Sequence, residues 1–306
     1  MHDRLRFGAV DLGSNSVRCL AVSVSGGVLE YVASGVWISR VTEGIREGEY
    51  AVGGKALERT LEAVGKAFQL LERSGVTGGH ISFCATESLR SAINSGEVVA
   101  RMESLTGLTP RVLDPEEEAR LGRKGASLGI PGAGWVFDLG GGSLDIGTPH
   151  RSFSFPLGAV RMTALFGEEP EAVMEEVRSV IGKSLEGGPG NLVGVGGTSS
   201  AAVMMLEMVR VDDYRPSRLH GRKVRSGDLD ELVRRISATP LEERAMITGL
   251  EKGRADIIVT GLSVARALLG LMGVDEYTHS ETDLLWALCN DMAAERGSEA
   301  LSVRMP

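Results

Sequence analysis

The chain has 306 residues, 42% of them apolar and 24% charged, the profile of a soluble globular protein long enough for two domains of ordinary size. A net charge of −8 excludes nucleic-acid or membrane binding driven by a positive field of the whole molecule, while a local cluster of donors could still hold an anion. Its apolar stretches are too short to span a bilayer, its N-terminus lacks the pattern of a secretory signal, and Cys19, Cys84 and Cys289 are scattered and odd in number, so a reduced, cytoplasmic setting is expected.

In chain order, residues 7–24 (FGAVDLGSNSVRCLAVSV) read as strand, tight turn and strand, and 28–41 continue in strand-forming residues. Leu57, Leu61, Val64, Phe68 and Leu71 recur in steps of four and three, which predicts a helix over 54–74. A buried-type strand at 80–86 is followed by a predicted helix at 87–106 and a short strand at 111–114. Asp114 and Pro115 then have the residue types of a helix cap and first helical position. The second half repeats the theme. A strand, turn and strand (GWVFDLGGGSLDIGTP) precede helices at 159–166 and 169–185 and a strand at 191–197. Thr239-Pro240-Leu241-Glu242 has the pattern of a capping box, and helices are predicted at 254–272 and 281–295. Strands alternate with helices in both halves, which implies an α/β architecture.

Asp11-Leu12-Gly13-Ser14-Asn15-Ser16 and Asp138-Leu139-Gly140-Gly141-Gly142-Ser143 share the pattern D-L-G-x-x-S in the same strand–turn–strand context, which suggests a duplicated domain. Turns of Gly, Ser and Asn can aim several amide N–H groups and hydroxyls at phosphate oxygens, and an Asp ending the preceding strand can hold Mg²⁺ beside them. A third glycine turn, Gly194-Val195-Gly196-Gly197-Thr198, tips the reading towards phosphate rather than ordinary hairpin composition. There is no G-x-x-x-x-G-K-[ST] and no full dinucleotide fingerprint. The glutamates of LDPEEEARLG (113–122) complement a helix dipole, or one of them serves as general base; spacing alone leaves both open. Arg90 is either a phosphate fork or a solvated arginine, and the basic run 210–225 either attracts a polyanion or is a solvated loop. The histidines are isolated, without zinc spacing, and no G-x-S-x-G elbow marks a Ser-His-Asp triad.

Seven stretches, AVDLGSNSVRCL (9–20), ATESLRSA (85–92), DPEEEARLG (114–122), VFDLGGGSLDIG (136–147), FPLGAVRMT (155–163), VGVGGTSSA (193–201) and GLEKGRADIIVTGL (249–262), resemble in order the exopolyphosphatase / guanosine pentaphosphate phosphohydrolase (Ppx/GppA) family of the actin, sugar-kinase and heat-shock ATPase superfamily. The resemblance implies α/β architecture with two ribonuclease-H-like domains and a cleft between them, drawn at 1–125 and 126–282, with a C-terminal helix, 283–306, packing back on the first. It implies metal-assisted attack of water on a terminal phosphate of inorganic polyphosphate or guanosine pentaphosphate. It places the catalytic carboxylate at Glu118, with Glu117 in reserve and Arg90 as phosphate clamp. Phosphate binding falls to Gly13, Ser14, Asn15 and Ser16, to Gly140, Gly141, Gly142 and Ser143, and to Gly196, Gly197 and Thr198. Asp11, Asp138 and Asp145 would be the Mg²⁺ side.

Two departures stand out. The family's Gly-Ser-Thr-Glu is Gly142-Ser143-Leu144-Asp145 here, which removes a hydroxyl donor and shortens the acid by one methylene, roughly 1.5 Å of chain. The family's S-D-x-G-L-R-E-G is replaced by SETDLLWAL (280–288), without its arginine. These motivate an alternative, a catalytically weakened regulatory relative that binds polyphosphate or an alarmone. The chain's length leans to the short, two-domain members. Substrate preference and oligomeric state, a homodimer included, are left open by the sequence.

Overall fold

The computed structural model describes residues 5–42, 50–182, 184–185, 188–298, 300 and 302–305. The chain divides into unit 1, residues 1–129 with 282–306, and unit 2, residues 130–281. In chain order unit 1 begins with β1 (Arg6–Leu12), β2 (Ser16–Ser25), β3 (Val28–Ile38), α1 (Gly54–Arg73), β4 (Ile81–Ala85), α2 (Glu87–Arg90), α3 (Ser95–Thr106), β5 (Arg111–Val112) and α4 (Pro115–Gly129). Unit 2 follows with β6 (Val136–Leu139), β7 (Leu144–Gly147), β8 (Ser152–Phe155), α5 (Ala159–Phe166), α6 (Pro170–Ile181), β9 (Val193–Val195), α7 (Gly197–Leu206), α8 (Pro216–Leu219), β10 (Lys223–Arg225), α9 (Ser226–Ser237), α10 (Ile258–Met272) and β11 (Glu276–His279). The chain returns to unit 1 with α11 (Leu284–Glu295) and β12 (Ser302–Arg304).

The sheet of unit 1 has the order β12-β3-β2-β1-β4-β5, and that of unit 2 β10-β11-β9-β6-β7-β8. Both contain one pattern. The first three strands form an antiparallel meander, and the fourth and fifth add in parallel beside the first. This is the ribonuclease-H-like order, present twice, and it differs only in the extra edge strand: β12 lies beside β3 in unit 1, and β10 beside β11 in unit 2. The D-L-G-x-x-S repeat therefore marks the first hairpin of each copy.

β1 is apolar at nearly every position because both of its faces are covered. Val10 and Leu12 join the cluster under α1 and α3, whereas Phe7 and Ala9 join the cluster under α4 and α11. The α1 stripe falls as the periodicity predicts, with Leu57, Val64 and Leu71 buried and Leu61 and Phe68 packed at the margin. In unit 2 the apolar helix α10 is buried on most of its circumference and joins one continuous core with α5, α6, α7 and α9. No helix of the described residues is long and apolar enough to cross a membrane.

Three sequence expectations are corrected. The helix at 87–106 is broken between α2 and α3, because Ile93 N donates to Tyr50 O and the Asn94 amide bonds both N and O of Val52. The capping box at Thr239 does not form: Thr239 Oγ1 donates back to Arg235 O, and Leu241–Met246 is a 3₁₀ segment rather than an α-helix. The C-terminal segment is helical only to Glu295 and then contributes β12; Glu299, Leu301 and Pro306 lie outside the described residues.

Helix α4 meets α11 through Gly125, where a Cβ would lie 1.7 Å from the carbonyl oxygen of Asp283; Gly122, on the same helix, has nothing within 4 Å. Gly125→Ala is accordingly expected to destabilise unit 1 by about 1–3 kcal/mol through overpacking. Gly122→Ala is expected to stabilise it by about 0.5–1 kcal/mol through helix propensity. Urea titration followed by tryptophan fluorescence checks both signs.

Candidate active site

Turn one joins β1 to β2 and is closed by Gly13 N donating to Ser16 O at 3.0 Å. Its carbonyls are tied back: Asn15 O accepts from Ser39 N and Arg40 N, and Ser14 O accepts from Thr42 N and Thr42 Oγ1. The amides of Ser14 and Asn15 donate to no described residue, and neither does the buried Asn15 Nδ2. Carbonyls tied to one side leave a turn whose amides and side-chain amide form the donor set of an anion nest. Ser14 Oγ, however, donates to Glu87 Oε2 at 2.9 Å.

Turn two joins β6 to β7 and repeats the closure, Gly140 N donating to Ser143 O at 3.0 Å. Here the carbonyls are held by the start of α5: Ala159 N donates to Gly140 O, Val160 N and Arg161 N to Gly141 O, and Arg161 Nε to Gly142 O. The helix thereby satisfies amides that would otherwise be orphaned at its N-terminus. The amides of Gly141 and Gly142 donate to no described residue. Gly158 is required for this seat, since a Cβ there would come within 2.3 Å of the Gly142 backbone. Turn three lies against turn two within the same unit. Gly196 has φ +85°, and a Cβ on it would strike Asp138 Oδ1 at 2.3 Å; one on Gly197 would strike the Arg254 guanidinium at 2.2 Å. Thr198 is buried in the first turn of α7.

The two hairpins carry opposite charge at one equivalent position. In the first, Asp11 faces Arg18 across the ladder, and Arg18 donates to Asp11 Oδ2 through Nε at 3.1 Å and Nη2 at 2.7 Å. Arg18 Nη1 also donates to Asp283 Oδ2 at 2.6 Å, and Asp283 caps α11 by accepting from Leu285 N. Both arginine bonds to Asp11 thus fall on Oδ2. In the second hairpin Asp138 faces Asp145, and Asp145 Oδ2 accepts from Ser143 Oγ at 2.7 Å. Like charges opposite each other on one face of a ladder disfavour the fold unless a cation or proton offsets them.

Asp114 starts α4 as its sequence suggests, Oδ1 accepting from Glu117 N at 2.8 Å. The cap sets the two candidate glutamates apart. Glu118 is 14% exposed and accepts from Arg90 Nη1 at 2.7 Å, while that same nitrogen donates to Leu113 O. Glu117 is 26% exposed and pairs with Arg111 and Arg120 at the surface. Burial, then the Asp11 and Glu118 carboxylates, push the Cys84 thiol well above its ordinary pKa, which leaves it unreactive and puts both acids near one buried atom. Unit 1 therefore brings turn one, Asp11, Arg90 and Glu118 into one region, and unit 2 brings together turns two and three with Asp138 and Asp145. Arg18, Glu87, Arg161 and Arg254 went unassigned from sequence, where each is a single charge inside a longer motif and nothing in its spacing marks its contact.

Beside turn three, Ser199 Oγ lies 2.8 Å from His279 Nδ1, and His279 Nε2 lies 2.8 Å from Glu281 Oε1. Tyr214 and Ser200 hydroxyls also donate to Glu281. A serine, a histidine and an acid do meet here, although no triad signal was legible in sequence. Ser199 is 2% exposed and its hydroxyl also lies within reach of Gly194 O, so it is a structural hydroxyl rather than a nucleophile. Burial alone would raise the Glu281 pKa, but the bonds from His279, Tyr214 and Ser200 outweigh it and hold the carboxyl below its ordinary value of 4.5. A carboxyl depressed in the folded state stabilises above its unfolded pKa and loses that contribution as pH falls through the folded value. The melting temperature should therefore fall as pH drops below about 4.5, and Glu281→Gln should flatten that dependence while lowering stability at pH 7. Melts from pH 7 to pH 3 read both effects.

Comparison with known proteins bears on the same segments. The chain matches the Ppx/GppA phosphatase family over residues 22–288. It is 30% identical to an uncharacterised protein of Streptomyces coelicolor, covering 89% of this chain and 85% of that one. It is 29% identical to exopolyphosphatase 2 of Mycobacterium tuberculosis, covering 94% and 98%. A crystal structure of the Aquifex aeolicus Ppx/GppA family member superposes with a TM-score of 0.75 at 25% identity, covering 95% and 98%. With the duplicated ribonuclease-H-like sheets and the hairpin turns in place, the chain belongs to the Ppx/GppA phosphatase family.

Proposed function

We propose that the protein releases terminal phosphate from inorganic polyphosphate, and by the same chemistry from the 5′ end of guanosine pentaphosphate. The observation that carries this reading is the matched pair of turns whose carbonyls are tied back while the amides of Ser14, Asn15, Gly141 and Gly142 donate to no described residue. The 29% identity to an exopolyphosphatase supports the choice of substrate.

In unit 1, the amides of turn one and Asn15 Nδ2 hold phosphate oxygens and lower the charge that repels an incoming nucleophile. Glu118 accepts the proton of a water whose oxygen forms the new bond to the terminal phosphorus, while the bridging P–O bond breaks and its electrons leave with the shortened chain. Arg90, bonded to Glu118 and to Leu113 O, fixes the carboxylate's direction. In unit 2, the amides of turn two hold phosphate oxygens in the same way.

Mg²⁺ fits the second hairpin better than the first. Asp138 and Asp145 stand opposite each other on one face of the ladder, while the residue opposite Asp11 is the cationic Arg18. No three His, Cys, Asp or Glu side chains converge among the described residues, and two carboxylates with phosphate oxygens and water are a usual Mg²⁺ set. Bound there, the ion would neutralise phosphate charge.

Phosphate release measured side by side on long polyphosphate, tripolyphosphate, guanosine pentaphosphate and ATP, with and without Mg²⁺, tests the substrate class. Glu118→Gln should reduce kcat by about 10²-fold or more while circular dichroism shows the fold retained. Wild-type turnover in that variant would remove Glu118 from the mechanism. Tight binding of tripolyphosphate without turnover by the wild type would favour a regulatory role.

A further inference from the structure

Glu87 is the first residue of α2, and an anion-binding turn has no evident use for a carboxylate beside it. Its place is nevertheless fixed from several sides. Oε2 accepts from Ser14 Oγ at 2.9 Å and Oε1 from Ser91 Oγ at 3.1 Å. Its neighbours are pinned to the last residue of β1: Thr86 N donates to Leu12 O at 3.2 Å, and Ser88 Oγ to the same carbonyl at 3.3 Å. The start of α2 and turn one are therefore one construction, and the carboxylate is held against the turn rather than drifting from the surface.

Ser14 is 3% exposed, so its hydroxyl has few acceptors to choose from. A hydroxyl carries one proton, and while that proton points at Glu87 it is not offered to a phosphate. The adjacent Asn15 is 6% exposed, and its Nδ2 donates to no described residue. A buried donor that suits an anion thus sits beside a fixed anion that competes for the neighbouring donor.

We propose that Glu87 is an affinity-setting residue that competes with phosphate for turn one. Ser14 donates to Glu87 in the absence of substrate and transfers its hydrogen bond to a phosphate oxygen on binding. The negative charge of Glu87 sets the affinity for phosphate below what the turn's donors alone would give. Product phosphate is then held weakly, because Glu87 is ready to take Ser14 back. The inference rests on the phosphate reading of turn one proposed above.

The test is isothermal titration of the full chain, as wild type, Glu87→Gln and Glu87→Ala, with inorganic phosphate and with tripolyphosphate, in EDTA and then in Mg²⁺. Glu87→Gln keeps an acceptor for Ser14 and removes the charge; it should bind tripolyphosphate about tenfold more tightly in EDTA, and inorganic phosphate more tightly as well. An unchanged Kd would make Glu87 a scaffold for the turn and overturn the proposal. Weaker binding seen only in Mg²⁺ would make it a cation ligand and overturn it equally. If Glu87→Ala does not fold, Glu87→Gln carries the comparison alone. If wild type binds tripolyphosphate in Mg²⁺ and Glu87→Gln gains nothing, this inference falls and the phosphate reading stands. If neither binds tripolyphosphate under any condition, the phosphate reading of the turn falls and takes the inference with it.

Discussion

The identity of the residue facing the strand-end aspartate governs what each hairpin can do. In the first copy that residue is Arg18, and Asp11 becomes one member of a buried chain, Asp11–Arg18–Asp283, with the outer acid capping α11. In the second copy it is Asp145, and two carboxylates share one face of the ladder. One sheet order and one turn closure thus support two different electrostatic sites. In the first hairpin Arg18 is shared between Asp11 Oδ2 and Asp283 Oδ2, so one arginine offsets part of the charge of two acids. In the second hairpin two carboxylates face each other, the pair proposed above to hold a divalent cation.

Both turns depend equally on where their carbonyls go. A glycine-rich turn free in solvent would expose donors and acceptors alike and show no preference for an anion. Here the acceptors are consumed, by Ser39–Thr42 in unit 1 and by the first turn of α5 in unit 2, so the amide faces are what remains. This explains two glycines packed against the site. Gly158 is needed because the turn-two backbone lies where a side chain would be, and Gly196 because Asp138 does.

Much of this was legible in the sequence. D-L-G-x-x-S gave both hairpins, Asp114-Pro115 gave the start of α4, and the four-three spacing of α1 gave its buried stripe. Each is a local signal read by a local rule. What failed was non-local. The helix at 87–106 breaks because Asn94 bonds the backbone of Val52, and the Thr239 box is lost because that hydroxyl finds Arg235 O first. Arg18 has no role legible in local sequence because its partners are seven and 265 positions away. The segment that departs from the family's C-terminal pattern holds Asp283, which is joined to Arg18 of β2.

A division of charge between the hairpins implies that the cation proposed above is held by Asp138 and Asp145 rather than by Asp11. Titration of Mn²⁺ into the protein, followed by electron paramagnetic resonance, measures this directly on wild type, Asp11→Asn, Asp138→Asn and Asp145→Asn. Asp138→Asn and Asp145→Asn are each expected to weaken Mn²⁺ binding by about tenfold or more, while Asp11→Asn leaves it within about twofold of wild type. Loss of Mn²⁺ in Asp11→Asn with retention in Asp145→Asn would contradict it.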